Sequence, residues 1–339
     1  MAARFPTQRA VARALCAGGP EVLVVETENL PPLKTGEALV RVDAAGLNHV
    51  DTLARSGRYS LRVPFPFSAG VEGAGTVVAV GPGVSLVPGA RVCWTAVPGS
   101  CATYVVAAAY MLAALPDALS VEAGACLAHA GMTAAGLVRH CPIAAGSTAV
   151  VWGAAGAVGR LLVALLADRG ISVIAIASGA RTRAAREAGA TLVVDRSSEN
   201  VVEAVQAWTR GRGVAAVFDP VGATTYETNL RLLAPRGYLV NYGQLSGALP
   251  AIDLERVMEA GSIFVTKYGP RAGLVGPAQL AELISQALAM ATTRPVTADI
   301  AGRFPLDDVA DAYRALESSA PGKVLVLPWQ GFPIERTLR

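Results

Sequence analysis

The sequence predicts an α/β chain: a doubly wound, parallel six-stranded sheet plus a smaller domain of short β-strands. Three observations predict it. The strand-like run 148–151 meets a glycine-rich turn, Gly153-Ala154-Ala155-Gly156-Ala157-Val158-Gly159, which opens an apolar helix. From that turn to residue 266, β-branched runs and helical stretches alternate. Ahead of it, from Val11 to about Pro116, short alternating runs are punctuated by Gly and Pro.

In chain order, the runs 23–26, 38–42, 75–80 and 90–94 read as strands. Turns at Gly18-Gly19-Pro20, Pro31-Pro32, Gly81-Pro82-Gly83 and Pro88-Gly89 divide them, as in a small all-β barrel or sandwich. The stretch 46–57 reads as a short helix. Ser120 caps a helix that carries Glu122 in its first turn, runs toward His140 and is stopped by Pro142. The six strands of the larger sheet are then 148–151, 172–177, 192–194, 214–219, 237–242 and 262–266. Helices at 160–167, 181–188, 200–209, 224–233 and 253–259 cross between them. Beyond 266, a helix at 277–291, a strand near 300–304, a helix at 306–317 and a strand at 323–327 do not extend the count. Residues 329–339 read as a loose tail. The expected division is 1–125, 126–268 and 269–339.

Composition narrows the function. Of 339 residues, 53% are hydrophobic and 16% charged, which suits a large core and a buried subunit interface. The net charge of +3 is weak, and the basic residues are scattered without interleaved aromatics, which argues against nucleic acid. The longest apolar run, 148–167, holds three glycines and Arg160 and reads as strand at its front, so no membrane span is expected. The five cysteines (Cys16, Cys93, Cys101, Cys126, Cys141) are odd in number and contain no C-x-x-C pair. With no apolar leader at the N-terminus, they read as reduced thiols of a cytoplasmic protein.

The glycine turn is the first candidate site. A turn of this kind brings the backbone close to a pyrophosphate and aims free helix N–H groups at it. Gly156 and Gly159 take the second and third glycine positions of the dinucleotide fingerprint, and Ala154 replaces the first. Ala155, Ala157 and Val158 complete the phosphate loop. Sites for NAD carry an Asp or Glu near the end of the second strand. That strand here ends Ile176-Ala177-Ser178-Gly179-Ala180-Arg181-Thr182-Arg183, with no carboxylate. Ser178, Arg181 and Arg183 suit a 2′-phosphate, since a guanidinium is planar, always charged and donates twice. The expected cofactor is therefore NADPH. The alternative reading makes Arg181 and Arg183 solvated residues of a helix first turn.

The chain resembles the zinc-independent quinone oxidoreductase (zeta-crystallin-like) branch of the medium-chain dehydrogenase/reductases. The resemblance is carried by Asn48-x-x-Asp51, Gly57-x-Tyr59, Gly70-Val71-Glu72-Gly73-Ala74-Gly75, Gly81-Pro82-Gly83-Val84 and Gly131-Met132-Thr133. It continues through Ala154 to Gly159, Asp219-Pro220-Val221-Gly222 and Gly322-Lys323-Val324. It implies a Rossmann nucleotide-binding domain, a GroES-like β-barrel catalytic domain that the C-terminal segment rejoins, and a cleft between them. It also implies homodimers paired through the edge strand 263–266. Zinc-bearing relatives put Cys where Asn48 stands and His where Val71 stands. Neither ligand is present here, and His49, His129 and His140 share no ligand spacing, so no metal is expected. Oxidation of simple alcohols is then disfavoured.

What remains is NADPH-dependent reduction of an electron-poor acceptor, a quinone or an α,β-unsaturated carbonyl, by positioning and hydrogen bonding. Asn48 is expected near the nicotinamide or substrate oxygen, because its amide both donates and accepts; the alternative is a helix cap. Tyr59 is expected to line the substrate pocket, or else to be a packing tyrosine. Leu53 holds a place often taken by tyrosine in relatives, which makes the pocket more apolar. Asp51 reads as a turn-holder rather than a base. Thr133 is expected to hydrogen-bond the cofactor, or else its own helix. The backbone of Val221, Tyr242 and Gly243 is expected to line nicotinamide and ribose. Arg196 and Lys323 are expected at cofactor phosphates; the alternatives are a surface arginine and the end of an exposed strand. A second reading is an enoyl reductase acting on acyl thioesters, with Arg55, Arg58 and Arg62 as a basic mouth. A third is a non-catalytic NADPH-binding sensor.

Overall fold

In the computed structural model, residues 6–58, 63–269, 276–296, 299–318 and 322–330 are described. They form two compact units. One comprises Met1–Met132, Pro277–Thr292 and Ala298–Arg339; the other comprises Thr133–Gly276 and Thr293–Thr297.

The first unit begins with β1 (Gln8–Ala14), β2 (Leu23–Asn29), β3 (Glu37–Gly46), the short helix α1 (His49–Arg55), β4 (Phe67–Ser68), β5 (Glu72–Val80), β6 (Arg91–Trp94), β7 (Tyr104–Ala108) and β8 (Ala113–Ala114). The long antiparallel pair β3–β5 runs from Ala38 opposite Val80 to Gly46 opposite Glu72 and forms the spine. Val40, Val42, Val77, Val92 and Trp94 are buried in the core on it. The Trp94 indole is satisfied there by Ser100 Oγ at 2.9 Å, which lets so large a polar ring sit fully inside. Helix α2 (Val121–His140) contains the division between the units. It is long and apolar enough to cross a membrane, but 78% of its most apolar window is buried inside the protein, as in a core helix.

The second unit reads β9 (Thr148–Trp152), α3 (Ala157–Asp168), β10 (Ser172–Ala177), α4 (Thr182–Glu187), β11 (Leu192–Asp195), α5 (Val201–Thr209), β12 (Val214–Asp219), α6 (Tyr226–Leu232), β13 (Leu233–Asn241), α7 (Leu254–Glu259) and β14 (Phe264–Lys267). The strands lie in the order β11-β10-β9-β12-β13-β14, all parallel. Chain direction across the sheet reverses between β9 and β12, and that switch point is where open α/β sheets bind ligands. The central strands are near-continuous Val, Ile and Ala because helices cover both faces. Strand β13 starts at Leu233, earlier than the expected 237; its register against β12 shifts between Val214 and Ala216. A left-handed residue, Arg236 (φ +61°), lies within that early part of the strand.

The C-terminal elements are α8 (Pro277–Thr293), β15 (Ile300–Pro305), α9 (Val309–Glu317) and β16 (Lys323–Leu327). Strand β16 pairs antiparallel with β3, Leu325 opposite Gly46, so this segment completes the first unit's seven-stranded sheet. Trp329 is not part of a loose tail. Its Nε1 donates to Val42 O at 2.9 Å and its ring meets Tyr104 edge-on at 5.4 Å. Residues 331–339 lie outside the described residues.

Candidate nucleotide crest and active-site cluster

In the second unit, β9 leads through the glycine turn into α3. Gly153 carries the left-handed backbone (φ +62°), and Ala154 is fully buried. The turn glycine is thus Gly153, one residue before the position expected from the fingerprint. Gly156 N donates to Gly153 O at 2.9 Å, and Gly156 caps α3 in extended backbone. A Cβ on Gly159 would stand 2.2 Å from Gly153 O and 2.7 Å from Ala154 Cα. Only glycine allows that closeness of helix to strand. The amides of Ala157, Val158 and Gly159 open α3, and an α-helix leaves such amides without an internal acceptor. Together they fit a dinucleotide pyrophosphate.

The neighbouring strand ends bring three of the expected cations together with Ser178. Ser178 follows β10 and Arg196 follows β11; Arg196 Nε donates to Ser178 Oγ at 2.9 Å, and Arg196 N donates to Ala177 O at 3.0 Å. Arg181 stands exposed on the turn between β10 and α4. Arg183 is ion-paired with Glu187 along α4, Nε to Oε1 2.6 Å. The cations open to a 2′-phosphate therefore narrow to Arg181 and Arg196. Asp195, which composition alone did not single out, accepts from Gly179 N at 3.0 Å and from Ser197 N at 3.0 Å. The Ser197 hydroxyl, followed by those two amides, holds its carboxyl below the usual range. Its charge fixes the turn under Ser178. A cavity of about 430 Å³ opens beside Arg196, with Trp152, Asn200 and Thr224 in its wall.

The loops after β12 and β13 are built on Asp219. Its fully buried carboxylate accepts from Val221 N at 2.7 Å, Thr225 Oγ1 at 2.8 Å and Asn229 Nδ2 at 3.0 Å. Burial nevertheless pushes its pKa up. Asn229 Oδ1 also takes the Trp152 indole at 2.7 Å. Tyr242 N donates to Asp219 O at 2.9 Å, and a Cβ on Gly243 would lie 2.4 Å from Pro220 O. Val221, Tyr242 and Gly243 are thus held in one tight double loop at the carboxyl ends of the strands. Thr133 is buried on α2, at 9% exposure.

In the first unit, Asn48 lies two residues past the end of β3 and caps α1, while Asp51 Oδ2 accepts from Asn48 N at 2.8 Å. The Asn48 side chain is engaged elsewhere. Its Nδ2 donates to Glu72 Oε2 at 2.7 Å and its Oδ1 accepts from Lys323 Nζ at 2.7 Å. Lys323 Nζ also lies 2.5 Å from Glu72 Oε2. Glu72 Oε1 takes the His129 amide at 2.6 Å, and the His129 ring nitrogen Nδ1 meets Thr95 Oγ1 at 3.0 Å. Two expectations change. Lys323 neither ends an exposed strand nor presents its charge to a phosphate, because at 7% exposure it neutralises Glu72. Arg55 is no part of a basic mouth: it is 3% exposed, donates to Gly18 O and pairs with Glu317. Tyr59 and Arg62 lie outside the described residues.

Asp51 is sealed beneath this cluster. Burial raises its pKa to about 7, against the opposing pull of the Asn48 amide and Lys323. Where zinc-bearing relatives place a metal ligand, this chain holds a neutral amide whose oxygen faces an ammonium. Among the described residues, no group of three or more His, Cys, Asp and Glu is placed to hold a metal ion. His140 Nε2 meets Thr266 Oγ1 at 3.0 Å, a packing role.

Comparison with known proteins agrees with this architecture. Residues 34–148 match the alcohol dehydrogenase GroES-like domain family, and residues 157–285 match the family described as zinc-binding dehydrogenase. The chain is 34% identical over 318 residues to a quinone oxidoreductase of Pseudomonas aeruginosa, covering 92% of this chain and 97% of that protein. A crystal structure of Escherichia coli quinone oxidoreductase complexed with NADPH superposes with a TM-score of 0.83 at 30% identity, over 94% of this chain and all of that one. A 2-haloacrylate reductase superposes with a TM-score of 0.79 at 28% identity, over 94% and 99%. The chain belongs to the quinone oxidoreductase branch of the medium-chain dehydrogenase/reductases.

Proposed function

We propose that this protein is an NADPH-dependent oxidoreductase that reduces quinones or α,β-unsaturated carbonyls. The observation that carries the reading is the crest in the second unit, where open α3 amides and the linked pair Ser178–Arg196 stand at adjacent strand ends. The phosphate loop would take the pyrophosphate on its amides, and Arg181 and Arg196 would take the 2′-phosphate. When bound, the cofactor supplies a hydride to the acceptor. The chain's own contribution is to bind, orient and donate hydrogen bonds. Asn48 and Tyr59 are the residues assigned to the acceptor. Support for Asn48 is its preorganisation, since Glu72 and Lys323 fix its amide from both sides. The 2-haloacrylate reductase likeness favours an activated alkene among the acceptors. The thioester reading loses support with Arg55 in the core.

Two finer points belong to the same proposal. The protein is read as a homodimer through the β14 edge, supported by exposed Leu254, Met258 and Phe264 around it. It is read as cytoplasmic, supported by five unpaired cysteines, four of them buried.

The test is fluorescence titration with NADPH and NADH, followed by an NADPH-oxidation screen over 1,2- and 1,4-quinones, enones and enoyl thioesters. NADPH is expected to bind at least ten-fold more tightly, and Arg196→Ala with Arg181→Ala to close most of that gap. Equal affinities for the two nucleotides in the wild type would overturn the assignment.

A further inference from the structure

The ends of the sheet opposite the nucleotide crest form a second, separate concavity. It measures about 780 Å³ and lies where β9 and β12 begin, with Thr148, Ala215 and Tyr238 in its wall. Arg210, Arg212 and Arg236 line it, and among the described residues no Asp or Glu does. Some exposed arginines of this chain, such as Arg181 and Arg196, have no carboxylate partner among the described residues, whereas others pair, as Arg303 does at Glu122 (2.7 Å) and Arg256 at Glu227 (2.9 Å). These three do not, among the described residues. Arg212 Nε donates to Thr209 O at 3.2 Å, and the Arg236 guanidinium lies 5.7 Å from the Phe264 ring centre.

Backbone conformation adds an independent observation. Four described non-glycine residues have positive φ, and two of them are Arg210 (+54°) and Arg236 (+61°). Glycine or asparagine fits that conformation without strain. Strained backbone tends to persist at functional sites. Finding arginine at both strained positions in one bowl indicates that the side chains are what the positions require. Trp208, 45% exposed, supplies a flat apolar plate in the same wall.

We propose that this bowl binds an oligophosphate, free or carried by a nucleotide whose ring lies on Trp208. Guanidinium forks match phosphate oxygens in pairs, and three of them without a competing carboxylate favour a multiply charged anion. The site is distinct from the NADPH crest, because it sits at the amino ends of the strands.

The experiment is calorimetric titration of the NADPH-saturated protein with sodium tripolyphosphate and, separately, ATP. One tripolyphosphate per chain is expected, with affinity falling as salt rises. Arg210→Gly/Arg236→Gly should weaken it at least ten-fold with no fall in Tm, since glycine suits both backbones. Arg181→Ala/Arg196→Ala should leave it unchanged. Tighter binding of ATP, lost in Trp208→Ala, assigns the nucleotide form; equal binding of the two ligands assigns the free anion. No binding at low salt, or binding that survives the double glycine variant, overturns the proposal.

Discussion

Lys323 and Glu72 form an ion pair at 2.5 Å with 7% and 0% of their side chains exposed, and Asn48 completes it by accepting from the ammonium and donating to the carboxylate. The pair links the first residue of β16 to the first residue of β5 across 251 positions of sequence. It therefore fastens the C-terminal strand onto the sheet and fixes the amide assigned to the acceptor.

Removing one partner should cost more than removing both. Lys323→Met leaves a buried carboxylate without its cation, and breaking such a pair costs about 3–5 kcal/mol. Glu72→Gln alone strands the ammonium in the same way. The double variant Lys323→Met/Glu72→Gln should recover a large part of the loss, as urea denaturation of the four proteins would show. Additive losses would mean that the pair is not coupled.

Asp51 predicts a pH-dependent stability of unusual sign for a carboxylate. Its folded pKa is raised to about 7 from the ordinary 3.8, chiefly by burial. Between those values the folded chain keeps a proton that the unfolded chain has released. Stability from this group is therefore complete below about pH 4, declines as pH rises toward 7 and then levels off. Asp51→Asn keeps an oxygen for the Asn48 amide and has no proton to lose. Its Tm relative to wild type should rise between pH 5 and pH 8, by the equivalent of about 2–4 kcal/mol at most. A Tm difference that does not change with pH would contradict it.

The sequence was most informative where structure is local. Strands β10, β12 and β16 have the predicted bounds because glycine and polar residues frame short β-branched runs. Strand β1 is not legible in the sequence: Gln-Arg-Ala-Val-Ala-Arg-Ala has little β preference. It is a strand because β2 and β4 pair with its two edges and bury Ala10, Ala12 and Ala14. At the crest, motif spacing points to Gly156, Gly159 and Ser178, and the family resemblance points to Arg196. Which residue takes the left-handed turn depends on φ, which spacing does not encode, and it proved to be Gly153. The surroundings of Lys323 are hidden in the sequence for a similar reason. Its partner is distant in sequence, and a lysine at a strand start looks like a solvated end until the pairing of β16 with β3 is known.

Gly159 offers a test of the crest itself. A Cβ there would collide with backbone, Gly153 O at 2.2 Å and Ala154 Cα at 2.7 Å, and backbone cannot swing aside as a side chain does. Gly159→Ala should push α3 away from β9 and spoil the aim of its first amides. NADPH affinity is expected to fall at least ten-fold and Tm to drop. Gly146→Ala is a suitable control: φ there is +83° and a methyl would meet nothing within 4 Å, so it should cost stability alone. If Gly159→Ala binds NADPH like wild type, the turn does not carry the pyrophosphate.

The dimer proposal can be tested at the sheet edge. Strand β14 is the last of six, so among the described residues one side of its backbone has no neighbouring strand and could pair with another chain. Apolar side chains are exposed on β14 and on the helix that precedes it: Leu254 is 76% exposed, Met258 56% and Phe264 43%. Phe264 is already ordered, its ring stacked on Tyr238 at 4.9 Å, so pairing it across a two-fold would cost little further entropy. A symmetric edge-to-edge contact places the same residues on both sides, and one substitution acts twice. Leu254→Glu with Phe264→Lys would replace two of these apolar side chains by charges, the device by which natural sheets avoid pairing. Light scattering is expected to find a dimer for the wild type and a monomer for this variant, with circular dichroism unchanged. A wild type that is monomeric at micromolar concentration, or a variant that still dimerises, would place the interface elsewhere.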